Sequence, residues 1–171
     1  MRERLLSLLR ESFIDLRRQD GLLFGCPGGN SENGRKLHEV CINHKLATHL
    51  EKRLPRMFPD IEEEYYVDIE FNRQGINPKT LEIDGETKTV RPDIIIHNRK
   101  SGSEKRNVLI VECKKVGAGP SELADDREKI LAFLTDAAYQ YDFGLQVIYS
   151  ASAIQGTLFY KAGNSVREMP V

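Results

Sequence analysis

Two stretches early in the chain carry apolar residues every three or four positions, and several later stretches carry them at alternate or consecutive positions. From Arg2 to Arg18, Leu5, Leu8, Leu9, Phe13 and Leu16 share one side of a helical wheel with charges between them, which predicts an amphipathic helix packed on the core. A second helix is predicted over residues 32–54, with Val40, Ile42, Leu46, Ala47, Leu50 and Leu54 in its stripe and Pro55 and Pro59 ending it. Residues 62–71 close on the alternating run YYVDIEF, a strand, and residues 79–90 hold Asp84-Gly85 between TLEI and ETKTV, the signature of a tight hairpin. Two β-branched runs, Asp93 to His97 and Val108 to Val111, flank a polar link containing Ser101, Gly102 and Ser103, and form a second hairpin. After Lys115, VGAGP breaks the strand and Ser121 is placed to cap a helix over Glu122 to Tyr141. Its stripe runs through Leu123, Ile130, Leu134, Ala137 and Tyr141, flanked by Asp126, Lys129, Phe133 and Gln140. Leu145 to Ser150 and Thr157 to Lys161 read as short strands.

The order is thus helix, three strands, helix, strand, with one further helix in front. The three strands form an antiparallel meander with an extended hairpin between the first and second. The run VLIVEC is apolar on both faces up to Glu112, so this strand is expected at the centre of the sheet with helices on both sides, an α/β sandwich. The length suits a single domain: an N-terminal helix and glycine-rich loop over 1–31, a core over 32–150, and a C-terminal strand and tail over 151–171.

Composition narrows the function little. Hydrophobic residues make up 40% and charged residues 30%, and the net charge of −1 excludes a uniformly basic nucleic-acid-coating protein. The charge is uneven, basic over residues 1–56, acidic over 57–90 and near neutral after that, which leaves room for a basic face. Cys26, Cys41 and Cys113 fit neither a disulfide framework nor a zinc motif, so a reducing cytoplasm is the expectation. Charges interrupt the N-terminal leucines, so neither a signal sequence nor a membrane span is expected. In the glycine-rich stretch, Gly29 and Gly34 are followed by Arg35, Lys36 and Leu37, where a P-loop has lysine directly after the second glycine and then a serine or threonine hydroxyl.

The chemistry lies in the second hairpin. If it is symmetric about Gly102 and Ser103, Asp93 faces Glu112, and Lys114 shares the face of Glu112. Opposed carboxylates destabilise a sheet unless something compensates, and a divalent cation held by oxygen ligands is the obvious candidate. Glu39 and Asn43 fall inside the apolar stripe of the second helix, where a glutamate needs a buried Arg or Lys or a metal. His38 and His49 fall on its solvated side as ordinary surface histidines, and His97, on the face of Asp93, is assigned to packing.

Pro92-Asp93 followed by Glu112-Cys113-Lys114 resembles the signature of the PD-(D/E)xK nuclease superfamily, the restriction-endonuclease-like proteins, and the resemblance extends over residues 32–150. It implies a restriction-endonuclease-like core, order αβββαβ, and a nuclease that uses Mg²⁺ or Mn²⁺ on phosphodiester bonds, of DNA rather than RNA. It implies that Asp93, Glu112 and the main-chain carbonyl of Cys113 hold the metal, that Lys114 acts on the attacking water, and that Glu39 completes the site directly or through a water. Gln140 resembles a glutamine that some exonuclease branches carry late in the following helix, and Lys129 is a second candidate on that flank. Because the superfamily also contains inactive members, a nucleic-acid-binding or assembly module is the alternative. A homodimer using the N-terminal helix would let single-strand sites cut a duplex.

Overall fold

The computed structural model describes residues 1–24, 39–59, 64–73, 76–83, 85–150 and 152–171, with the backbone of Gln74. The glycine-rich stretch from Gly25 onward, the first turns expected of the second helix with His38, the acids Glu62 and Glu63, and Asp84 lie outside them. The helices are α1 (Arg2–Asp20), α2 (Glu39–Glu51), the single turn α3 (Leu54–Met57) and α4 (Pro120–Thr135). Before α4 the strands are β1 (Tyr66–Ile69), β2 (Arg73–Gln74), β3 (Asn77–Pro78), β4 (Thr80–Ile83), β5 (Glu86–Thr89), β6 (Ile94–His97) and β7 (Asn107–Lys115). After it come β8 (Phe143–Tyr149), β9 (Ile154–Ala162) and β10 (Ser165–Pro170).

Six strands form one mixed sheet in the order β1-β6-β7-β8-β9-β10. Only β7 and β8 run parallel, and α4 is the crossover that such a pair requires. The rest is antiparallel, with β1, β6 and β7 as the expected meander. Two small hairpins, β2-β3 and β4-β5, fill the connection between β1 and β6. Ile83 pairs with Glu86, so β4 and β5 are joined by two residues, and Gly85 at φ 77° supplies the left-handed conformation that this turn needs.

β7 is central and buried from Asn107 to Cys113. Alternation sends Leu109, Val111 and Cys113 to one face, against Leu5, Leu9 and Leu16 of α1 and Ile42, Leu46 and Leu50 of α2. Ile110 goes to the other, with Ile95, against Ile130, Phe133 and Leu134 of α4 and Leu81 of β4. The α1 stripe is therefore spent on the protein's own core. Of the large apolar residues of α1, only Ile14 stands well exposed. Among the described residues no helix is long and apolar enough to cross a membrane.

Four expectations change. The helix after the motif begins at Pro120 and ends at Thr135; Glu122 Oε2 reaches back to the Gly119 N–H at 2.8 Å, so the start is not capped by Ser121. It stops where Asp136 takes an extended ψ and its Oδ1 accepts the Ala138 N–H at 2.6 Å, so Tyr141 is a core residue beyond the helix and Ala137 is exposed. In α2, Val40 is exposed and His49 is buried, the latter because Asp20, the last residue of α1, lies 2.7 Å from His49 Nε2. The C-terminal tail is β10, paired with β9 along its whole length.

Burial alone would raise the Asp20 carboxyl, yet the His49 hydrogen bond and the Lys45 ammonium at 3.4 Å hold it below the usual carboxylate range. That contribution is in place above about pH 4 and is lost as the pH falls through the lowered value. His49→Ala is expected to lower unfolding free energy by about 2 kcal/mol, read from the urea midpoint at neutral pH, because it leaves a cavity and strips a largely buried carboxylate of a partner.

Candidate active site

The site is set by strand register. Ile94, Ile95 and Ile96 pair with Val111, Ile110 and Leu109, and one further step in that register puts Asp93 across from Glu112. The link is not a symmetric tight turn: a bulge between Ile96 and His97 shifts the far end of the pair. Asn98 holds the link together, accepting the Arg106 and Lys100 N–H groups on Oδ1 at 2.9 and 3.2 Å and donating to the Glu104 carbonyl at 2.7 Å. The irregularity stays at that end, so the register at Asp93 is the symmetric one. Asp93 Oδ2 accepts the Cys113 N–H at 2.7 Å, and its carbonyl accepts the Glu70 N–H at 2.9 Å, which ties the residue to both neighbouring strands.

Glu112 and Lys114 face α4 and meet two of its side chains one turn apart. Lys114 Nζ lies 3.0 Å from Asp126 Oδ2, and Lys129 Nζ lies 3.1 Å from Asp126 Oδ1 and 3.6 Å from Glu112 Oε2. Glu112 is 3% exposed and Asp126 1%. Glu112 Oε1 is buried with no hydrogen-bonding partner among the described residues. Burial pushes the Glu112 carboxyl up to about 8, against the attraction of Lys129 and with the added repulsion of Asp93 and Asp126. Asp93 is pushed up to about 6 for the same first reason, although the Cys113 N–H and Lys114 favour its charged form. Lys114 is raised above the ordinary lysine value: burial lowers it, and the Asp126 hydrogen bond with the charges of Asp126, Asp93 and Glu39 more than reverses that. It is an ammonium at neutral pH.

Glu39 reaches the same end of the sheet from the other face. At the first turn of α2, half-buried, it accepts the Lys115 N–H on Oε2 at 3.0 Å, so its partner is the strand's backbone and not a buried Arg or Lys. Its charge raises Asp93 and Lys114. Asn43, one turn on, is buried, and its Oδ1 has no hydrogen-bond partner among the described residues. Cys113 points away into the core, its Sγ accepting the Tyr149 hydroxyl at 3.3 Å, while its carbonyl lies 3.4 Å from Lys114 Nζ. Gln140 does not belong here. It is exposed in the turn after α4, near the Asn107 end of β7, where Asn107 Nδ2 donates to the Tyr139 carbonyl. His97 is also at that end, buried with Nε2 2.8 Å from Asp68 and its ring against Phe71, a packing role as expected.

Asp126 is the residue that sequence reasoning undervalued. It was placed on the flank of the helical stripe, whereas α4 is rotated so that Asp126, Ile130, Phe133 and Leu134 form the buried face. The signal was the one that singled out Glu39: an acid in helical register with a following apolar stripe, Ile130, Phe133 and Leu134 after Asp126 as Ile42, Leu46 and Ala47 after Glu39.

The cluster fits an oxygen-liganded divalent ion. Its donors are hard oxygens, two buried carboxylate oxygens, Glu112 Oε1 and Asp126 Oδ2, have no hydrogen-bond partner among the described residues, and two carboxyls sit above their usual range, the condition that a cation would relieve. Among the described residues no three acidic, imidazole or thiol side chains converge as a ready-made cage. The donor set is instead two carboxylates and a main-chain carbonyl. Fold and site together define an α/β protein with a mixed six-stranded sheet and an ionic cluster at the C-terminal end of its central strand. Compared with family models, curated proteins and solved structures, the chain matches none.

Proposed function

We propose that this protein is a metal-dependent nuclease with a restriction-endonuclease-like PD-(D/E)xK core, hydrolysing phosphodiester bonds of DNA in preference to RNA. The observation that carries the reading is the register of β6 on β7, which brings Asp93 to Glu112 beside an unpartnered buried oxygen of Glu112. The order α2, β1, β6, β7, α4, β8 supports it, since it is the helix, meander, helix, strand succession that the resemblance implies. Asp93, Glu112 Oε1 and the Cys113 carbonyl would hold Mg²⁺ or Mn²⁺, which supplies polarisation of the phosphate and a more acidic water.

The protein's own groups divide the remaining work. Asp93 is oriented by the Cys113 N–H, and Glu39 is held by the Lys115 N–H, so both carboxylates are positioned by backbone of the same strand. Lys114, an ammonium clamped by Asp126, is suited to orient the attacking water and stabilise negative charge as it develops on phosphate oxygens. It does not serve as the proton acceptor. Hydrolysis forms a bond from water oxygen to phosphorus and breaks the ester bond, and the departing proton is left to solvent or a phosphate oxygen.

The test is cleavage of plasmid, linear duplex, single-stranded and branched DNA and of RNA by the purified protein. Cleavage is expected with Mg²⁺ or Mn²⁺ and not with EDTA, and Lys114→Ala is expected to slow it by about 10²-fold or more. Equal cleavage by wild type and Lys114→Ala would overturn the proposal. Binding that survives EDTA with no cleavage of any substrate would establish the non-catalytic module.

A further inference from the structure

The two buried acids between β7 and α4 differ in how their oxygens are used. Both oxygens of Asp126 face ammonium groups, Oδ2 in an ion pair with Lys114 at 3.0 Å that lacks hydrogen-bond geometry and Oδ1 accepting from Lys129 at 3.1 Å. Glu112 is divided: Oε2 faces Lys129 at 3.6 Å and Oε1 faces no partner. A carboxylate with one oxygen toward a cation and the other without a hydrogen-bond partner among the described residues is arranged as the shared ligand of a two-cation site. In such sites the cations lie about 3.5–4 Å apart and share ligands. Lys129 Nζ is in contact with Glu112 and Asp126 together, the place that the second cation of such a pair would take.

We infer that Lys129 stands in for a second metal ion: its ammonium fills the position bridging Glu112 and Asp126, so the site takes one divalent ion, on the Asp93 side of Glu112. This rests on the metal-site reading above. Charge balance supports it. With Asp93, Glu112, Asp126 and Glu39 ionised, Lys114 and Lys129 leave an excess of two negative charges. One divalent ion neutralises that excess, whereas a second in the place of Lys129 would leave one positive charge in excess beside the buried Glu112 and Asp126. Lys129 is also difficult to displace, because it is tethered to α4 and held by both acids, and α4 is fixed by Ile130, Phe133 and Leu134 in the core. Lys114 is not equivalent, since it faces Asp126 and the Cys113 carbonyl and does not bridge to Glu112.

The experiment is a Mn²⁺ titration of the full chain at physiological ionic strength, followed by calorimetry and electron paramagnetic resonance. Wild type is expected to bind one ion per chain, displaced by Mg²⁺ and weakened at least about 10-fold in Glu112→Gln. Lys129→Met, or Lys129→Gln if the first does not fold, is expected to bind two, with the spectral broadening of a coupled pair. Two ions in wild type, or a single ion in a folded Lys129 variant, would overturn the inference and leave the metal site standing. No Mg²⁺-displaceable ion in wild type would remove the site itself, a result distinct from either.

Discussion

Glu112→Gln is expected to reduce metal-dependent cleavage by about 10³-fold or more while making the metal-free protein more stable at pH 8. The two effects have one cause. Glu112 is buried near the end of a strand whose preceding five residues are also buried, and burial holds its carboxyl at about 8. In the unfolded chain it ionises near the ordinary 4.5. Between those values the folded form keeps a proton that the unfolded form has released, so stability falls as the pH rises through the window. The loss is complete only above the folded value and is bounded at about 4–5 kcal/mol for a shift of this size. Glutamine keeps the shape and removes the titration. Its loss of the Lys129 contact offsets part of the gain, which leaves about 1–3 kcal/mol at pH 8 and little at pH 5. Thermal unfolding at the two pH values, without metal and then with Mn²⁺, measures this. Wild type should gain stability from Mn²⁺ and the variant should not. A variant less stable than wild type at pH 8 would show Glu112 to be one half of a structural ion pair.

Gly144→Ala is expected to destabilise the fold by about 3 kcal/mol, a fall in melting temperature of about 6–12 °C for a domain of this length. A Cβ on Gly144 of β8 would stand 2.2 Å from Ile130 Cγ2 of α4. Ile130 is fully buried, and as a β-branched residue in a helix it has one strongly preferred rotamer, so its methyl cannot swing aside. The helix must move. Asp126 and Lys129 move with it, whereas Asp93, Glu112 and the Cys113 carbonyl stay on the sheet, so the contacts of Asp126 with Lys114 and of Lys129 with Glu112 should loosen while the proposed metal ligands keep their places. Adding Ile130→Ala opens the space, and the double variant should be less destabilised than the sum of the singles by about 1 kcal/mol or more. Strict additivity would show that the close approach is not what fixes α4.

Much of the scaffold was legible along the chain. Consecutive runs of apolar, mostly β-branched residues mark β6 and β7, the polar link between them is centred so that Asp93 meets Glu112, and both faces of β7 are apolar, which requires cover on both sides. These are properties of neighbours in sequence or of one hairpin, where local geometry leaves few alternatives. The glutamine assigned to the site failed for a definable reason: helical periodicity continued past Thr135, but the Asp136 side chain offered the backbone a turn, and Gln140 was carried to the far end of the sheet.

The choice among faces was not local. His49 is polar and stands opposite the main stripe of α2, yet it is buried because Asp20, 29 residues earlier, meets it. Asp126 could be buried only because Lys114 comes to it across the crossover from the end of β7. The free energy of an ionised group off water depends on which charges surround it in space, and one strand of sequence does not contain that information. The sequence by itself therefore determined the strands, the meander and the pairing of Asp93 with Glu112. Only the tertiary structure decided that α4 turns Asp126 and Lys129 onto that pair, because the rotation of a helix is selected by the sum of its contacts with the sheet.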